Sequence, residues 1–447
     1  MNTTIETRFS GCLELEQIRQ RVTVRPEPVG DLSGVDPVLA GTSLAETLKQ
    51  IYLPNQFSLS FIQEMVGRAD VFSRSLFASE RDYHAKIYDP PEVEVAPLCL
   101  TGLAGVGKSQ TISALRRALP APIEFESSHF KEKVTLVSHW YASARDKAGG
   151  RQMLADFVLG SEPTSKGPNT NKLLNLCRRI VNRDGISLLI LEETQHATPG
   201  KGVTLVTNIL LTMAVIGPPM VYVANYSLLH KLLDRNSEDK QRLLSEPRIM
   251  LPDDPDGQDW KAYIAECVRV SSGQIRAQQG ELAAELYRST FGLKRLAVQL
   301  LKLAYIECRK AGRRHLGLGD ISQAYRSSEY WSNRVDVEEL HRIAVEGLGR
   351  RARKDLWCPL EIPAARKSNI LQFARQERDE RVIAQAIDSS MTAQEREAVK
   401  QLEPASRSPE AKAPRRKPIP KATPEETQMA FAKYVEQTNS DKPKKPR

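Results

Sequence analysis

The eight residues GLAGVGKS, Gly102–Ser109, constrain this chain more than any other stretch. They fit the pattern GxxxxGK[ST] in full. The apolar run Leu98–Thr101 precedes them, and the amphipathic stretch KSQTISALRRAL follows from Lys108. A strand, a glycine-rich turn and a helix in that order make a phosphate cradle. The glycines let backbone N–H groups turn inward, and the helix adds its positive end. The expected nucleotide-binding residues are therefore Gly102, Gly105, Val106, Gly107, Lys108, Ser109 and Gln110. Lys108 is expected to bridge the β- and γ-phosphates and Ser109 to coordinate Mg²⁺, so ATP and Mg²⁺ are the implied cofactors.

A second run, ISLLILEE (Ile186–Glu193), is continuously apolar until it ends in two carboxylates. Such a run suits a strand buried on both faces. Hydrolysis at a phosphate cradle needs one acid for the metal's water shell and another to polarise the attacking water. Glu192 stands in the metal position and Glu193 in the base position. Asn225, just past the apolar run Met220–Ala224, is read as a water-orienting sensor, with a cap on the following helix as the alternative. Arg235, Arg242 and Arg248 are candidates for a finger reaching a neighbour's γ-phosphate, with Arg242 preferred. Lys294 and Arg295 open a later helix, either as a second sensor or as ordinary solvated charge.

The chain divides by texture. Residues 1–95 form a mostly helical amino-terminal extension, with helical signals at Ser43–Tyr52 and Leu59–Phe77 and a Pro-rich linker at Tyr88–Pro97. Residues 96–256 alternate apolar runs with amphipathic helices, which predicts an α/β core on a parallel sheet. Its expected strands are Leu98–Thr101, Val134–Val137, Ile186–Glu193, Met220–Ala224 and Arg248–Leu251, with a helix at Val203–Ile216. Residues 257–330 read as helices alone, a lid, and 331–402 as a further helical extension around Val335–Val345 and Glu377–Ala386. From 403 to 447 Pro, Lys and Ser dominate, which predicts a disordered basic tail.

A net charge of +9 favours an anionic partner. Ser138–Gln152 reads as an exposed loop in which Arg145, Lys147 and Arg151 stand among glycines. It would contact DNA phosphates without reading bases, unless it is an ordinary basic loop. The six cysteines are scattered with no CxxC pair, which argues against a zinc site and a disulfide framework. The polar amino terminus lacks the apolar core of a signal peptide, and no apolar run approaches a membrane span. The expectation is a cytoplasmic protein with no membrane partner.

Together GLAGVGKS, LLILEETQHA (Leu188–Ala197) and GLKRLAVQLLKLAYIECRKAG (Gly292–Gly312) resemble the AAA+ transposition regulators of the TnsC and TniB type. Gln195–His196 after the carboxylates is the distinguishing pair. The resemblance spans about residues 50–325 and departs in Glu192, where the family has Asp, and in lacking paired arginines before Phe near Arg242. It implies an AAA+ P-loop core with a helical lid, and a homo-oligomeric ring or filament that forms with ATP on duplex DNA. It further implies a link between a target-selector protein and transposase subunits, with no DNA cleavage by the chain itself. An AAA+ replication initiator or helicase loader is the alternative, favoured if a winged-helix domain follows the lid. A signalling ATPase that binds only protein would need the basic charge to be incidental.

Within the tail, Glu426–Gln437 carries Met429, Phe431, Tyr434 and Val435. The last three fall on one helical face that could fold into a groove. The resemblance makes transposase the partner for it. A flexible basic tail that only adds DNA affinity is the other reading.

Overall fold

The computed structural model describes Ile5 and residues 7–392, apart from residues 128, 146, 148, 160–168, 195–201, 348, 351 and 363. The Gln195–His196 pair and the expected tail, 403–447, lie outside the described residues.

The described chain opens with helices α1 (Leu15–Val22), α2 (Pro37–Gln50), α3 (Gln56–Leu76) and α4 (Glu80–Tyr88). Then come β1 (Leu98–Gly102), α5 (Lys108–Ala118), β2 (Ile123–Phe125), β3 (Val134–Leu136), β4 (His139–Ser143), α6 (Gly150–Leu159) and α7 (Thr170–Asp184). The core closes with β5 (Leu188–Glu192), α8 (Gly202–Ala214), β6 (Met220–Ala224), α9 (Tyr226–Leu233), α10 (Ser237–Leu243) and β7 (Glu246–Met250). Helices alone follow: α11 (Gln258–Val270), α12 (Gln279–Thr290), α13 (Lys294–Lys310), α14 (Leu318–Arg326), α15 (Trp331–Glu346) and α16 (Ala364–Ser390).

The main sheet has the order β4-β5-β6-β1-β7, and every pairing in it is parallel. Strands β1, β5 and β6 are buried along their whole length, as continuous apolar runs must be when helices cover both faces. Side chains from α1, α3 and α5 through α9 pack into one core around them.

One expected strand belongs elsewhere. Val134–Leu136 pairs antiparallel with Ile123–Phe125 in a separate two-stranded ribbon. The main sheet's edge strand is instead His139–Ser143, which the sequence reading placed in a loop. All five of its residues are only half-buried, so HWYAS never forms the apolar run that marks an interior strand.

A second core joins α11–α14 around Trp260, Tyr263, Tyr287 and Tyr305. Helix α2 belongs to it, although it precedes the sheet in sequence. Asp36 caps α2 by accepting from the amides of Val38 and Leu39, and Pro37 opens it. At Gly41 the helix lies so close to α13 that a Cβ there would stand 2.4 Å from Ile306 Cγ1. The isolated bridge Val24–Tyr52 closes the excursion, returning the chain to the sheet's core. Among the described residues, no helix is long and apolar enough to cross a membrane.

Candidate nucleotide site at the carboxyl edge of the sheet

Parallel strands bring their carboxyl ends to one edge, where open α/β sheets bind ligands. Gly102, Glu192, Ala224 and Ser143 are the last residues of their strands and therefore share that edge.

After Gly102 the loop turns on Gly105 (φ +84°) and Gly107 (φ +118°), left-handed conformations that favour glycine. Gly107 is the N-cap of α5. Its left-handed turn leads straight into the first amides of that helix, which have no intrahelical acceptor. Ser109 and Gln110 are exposed on that first turn, and Val106 is buried beneath it. Lys108 Nζ donates to the carbonyls of Gly102 and Leu103, both at 2.8 Å, so the ammonium sits within the curl of the loop. Burial, and then the nearby Arg295 guanidinium, lower its pKa to about 8, while Glu193 acts the other way.

Glu192 is buried at the end of β5. Its Oε2 accepts from the Tyr141 hydroxyl at 2.9 Å. Its Oε1 is buried and, among the described residues, has no hydrogen-bond partner. An orphaned carboxylate oxygen at this edge fits the water shell of a Mg²⁺ ion. No group of three or more His, Cys, Asp or Glu among the described residues could hold a metal alone.

Glu193 follows with φ +54°, a left-handed backbone at a residue with a full side chain. Such conformations cost energy and persist where the surroundings impose them. Here Thr194, buried, anchors the turn by donating to the Val223 carbonyl at 2.6 Å. Asn225 accepts from Leu228 N at 2.9 Å, so it does cap α9. That is the capping alternative of the sequence reading, made through Oδ1.

The lid reaches the same loop. The Arg295 amide donates to the Gly105 carbonyl at 3.4 Å, and the Arg295 side chain lies against the glycine. Lys294 turns away to an ion pair with buried Asp253 at 3.0 Å. The sequence could not separate these neighbours; their contacts do. The sheet is parallel in the order β4-β5-β6-β1-β7, with the glycine loop after β1, Glu192 closing β5, Glu193 just beyond it, and Arg295 against the loop.

The fold is of the AAA+ class.

No protein-family model matches the chain, and no curated protein matches it. Solved structures are similar at low scores. The ORC2 protein of Aeropyrum pernix, in ADPNP–ADP complexes, is 14% identical with a TM-score of 0.38, over 62% of this chain and 73% of that one. The ORC1 protein of Aeropyrum pernix in complex with DNA is 17% identical with a TM-score of 0.37, over 67% and 82%. The RuvB Holliday junction branch migration motor of Thermotoga maritima is 12% identical with a TM-score of 0.31, over 62% and 76%.

The arginines around the AAA+ core fall into distinct settings. Arg248 on β7 is held by Glu64 of α3 at 2.6 and 2.9 Å, in a network with Arg68 and Glu246. Arg235 pairs with Asp239 at 2.8 Å. Arg242 is exposed, with pairs to Glu238 at 3.0 Å and Glu94 at 3.4 Å. Of the expected DNA contacts, Arg145 and Arg151 are exposed, whereas Lys147 is half-buried in an ion pair with Asp156 at 2.5 Å.

Proposed function

We propose that this chain is an ATPase that binds duplex DNA and regulates DNA transposition, assembling on DNA as a homo-oligomer and linking a target-selector protein to transposase. One observation carries the nucleotide part of this reading: Arg295 of the lid rests on the loop that curls around Lys108. Phosphate bound there would touch both bodies, so its presence or loss would bias how they close. In this reading Gly102, Gly105, Val106, Gly107, Lys108, Ser109 and Gln110 hold the phosphates, and Mg²⁺ would neutralise charge developing on them. Ser109 would coordinate the ion and Glu192 would hold its water shell, Glu193 takes the proton of the attacking water, and Asn225 orients that water. Arg242 completes the neighbouring subunit's site.

The transposition part rests on the three motifs GLAGVGKS, LLILEETQHA and Gly292–Gly312. An AAA+ replication initiator or helicase loader is the second reading; among the described residues beyond 330 the named elements are helices. Electron microscopy of the full chain with duplex DNA and a non-hydrolysable ATP analogue tests the assembly. Nucleotide-dependent rings or filaments are expected; no DNA-bound assembly at any salt would reject it. Capture of the cognate transposase by the full chain, lost on deletion of residues 422–447, tests the partner.

A further inference from the structure

A glutamate in the metal position must do with a longer arm what aspartate does with a shorter one. The extra methylene adds a rotatable bond, so the carboxylate needs an outside hold to stay aimed at the ion's water shell. The edge strand supplies one. Ser143 of β4 is in register with Glu192, and Tyr141 lies two residues earlier. The Tyr141 hydroxyl donates to Glu192 Oε2 at 2.9 Å, and Oε1 stays buried without a partner among the described residues. The two oxygens thus have different duties.

The tyrosine is itself held. Arg116, on the helix that begins at Lys108, places its guanidinium carbon 4.2 Å from the centre of the Tyr141 ring. Its Nε donates to His139 Nε2 at 3.4 Å. Burial and Arg116 lower the His139 pKa to about 4, so the imidazole is a neutral acceptor at physiological pH. Helix α5 and strand β4 are joined around the phenol, and the phenol fixes the carboxylate.

We propose that Tyr141 is a positioning residue for Glu192, holding one carboxylate oxygen so that the other is presented to the water shell of nucleotide-bound Mg²⁺. This rests on the nucleotide reading of the site and adds a residue to it. Outer-shell partners of metal ligands commonly carry about 10–100-fold of metal affinity. The hold here acts through water, which places the effect at the lower end.

The test uses the full chain and a fluorescent, non-hydrolysable ATP analogue titrated with Mg²⁺. Tyr141→Phe removes one hydroxyl and leaves the ring under Arg116. It should raise the half-saturating Mg²⁺ for tight analogue binding by on the order of tenfold. Affinity measured in EDTA should stay unchanged, a split that a purely structural role for the tyrosine does not produce. Glu192→Ala should give a similar rise, and adding Tyr141→Phe to it should change nothing more. An unshifted Mg²⁺ requirement in Tyr141→Phe, or a shift that persists in the Glu192→Ala background, overturns the proposal. Failure of the unmodified chain to bind the analogue with Mg²⁺ would instead overturn the nucleotide reading itself.

Discussion

The backbone amide of Arg295 donates to the carbonyl of Gly105, so the first turn of α13 rests on the phosphate loop. A Cβ at Gly105 would stand 2.9 Å from Arg295 Nε and 3.1 Å from its Cβ, at a φ of +84°. Gly105→Ala must therefore strain the loop and push the lid helix outward. The left-handed strain alone is about 1–3 kcal/mol. Calorimetric titration should find the ATP analogue bound at least about tenfold more weakly, with a lower melting midpoint. Unchanged affinity and midpoint would mean that lid and loop do not touch in solution.

Lys108 gives the nucleotide affinity a pH dependence of defined sign. In the free protein its pKa is lowered to about 8, chiefly by burial. Phosphates favour the charged form, so binding raises that pKa and takes up a proton wherever the free lysine is neutral. Affinity should be flat below about pH 7 and fall from pH 8 to 9.5, approaching tenfold per pH unit. Titrations in buffers of different ionisation enthalpy should register the uptake at pH 8.5. A profile flat to pH 9.5 would remove Lys108 from the phosphate-binding role, and Lys108→Ala should abolish binding.

Glu193 is strained as well as chemical. With φ at +54°, it occupies a conformation that glycine adopts more readily. Glu193→Gln should keep nucleotide binding and stop hydrolysis. Glu193→Gly should also stop hydrolysis, while leaving stability level or raising it by up to about 1 kcal/mol. Denaturant melts beside a phosphate-release assay separate the two effects. Hydrolysis surviving in Glu193→Gln would transfer the base role elsewhere.

Legibility from sequence tracked how local each determinant is. GLAGVGKS and the apolar runs of β1, β5 and β6 carry their own signals, and the structure has strands at all three. β4 was missed because a half-buried edge strand of His, Trp and Tyr has neither continuous nor alternating apolarity. That error hid Tyr141, whose bond to Glu192 depends on register across two strands. Helix α2 starts six residues before the expected signal at Ser43, so its Asp36 cap went unread, and nothing near it in sequence says that it meets Ile306 of the lid. Lys294 and Arg295 are indistinguishable by pattern, since only the partners Asp253 and Gly105 separate them.

The finger candidates differ in what their removal should cost the monomer. Arg248 joins α3 to β7 through two bonds to Glu64, so Arg248→Ala should lower stability by roughly 1 kcal/mol, within the range of good partly buried ion-pair networks. Arg242 is exposed in pairs worth little, so Arg242→Ala should leave the melt unchanged. In the assembled protein Arg242→Ala should depress hydrolysis far more than monomer nucleotide affinity. The reverse pattern, with only Arg248→Ala silencing the assembly at unchanged stability, would move the finger to β7.

The basic segment after β4 is rooted at the candidate active site, because the Ala144 amide donates to the Glu192 carbonyl at 2.9 Å. Its three expected DNA contacts are no longer equivalent. Arg145 and Arg151 are exposed, while Lys147 is engaged with Asp156. Reversing the two arginines together, Arg145→Glu with Arg151→Glu, should weaken duplex binding at least about tenfold and reduce the slope of log affinity against log salt by about two, since each phosphate contact contributes about 0.9. Different duplex sequences should lose affinity alike, because phosphate contacts carry no base information. Lys147→Glu should act differently, setting two acids against each other between the loop and α6 and lowering the melting midpoint more than the salt slope. Fluorescence anisotropy on labelled duplexes from about 50 to 300 mM salt separates the three cases. If Lys147→Glu alone flattens the slope without a stability loss, the lysine leaves Asp156 for DNA and the arginines are bystanders.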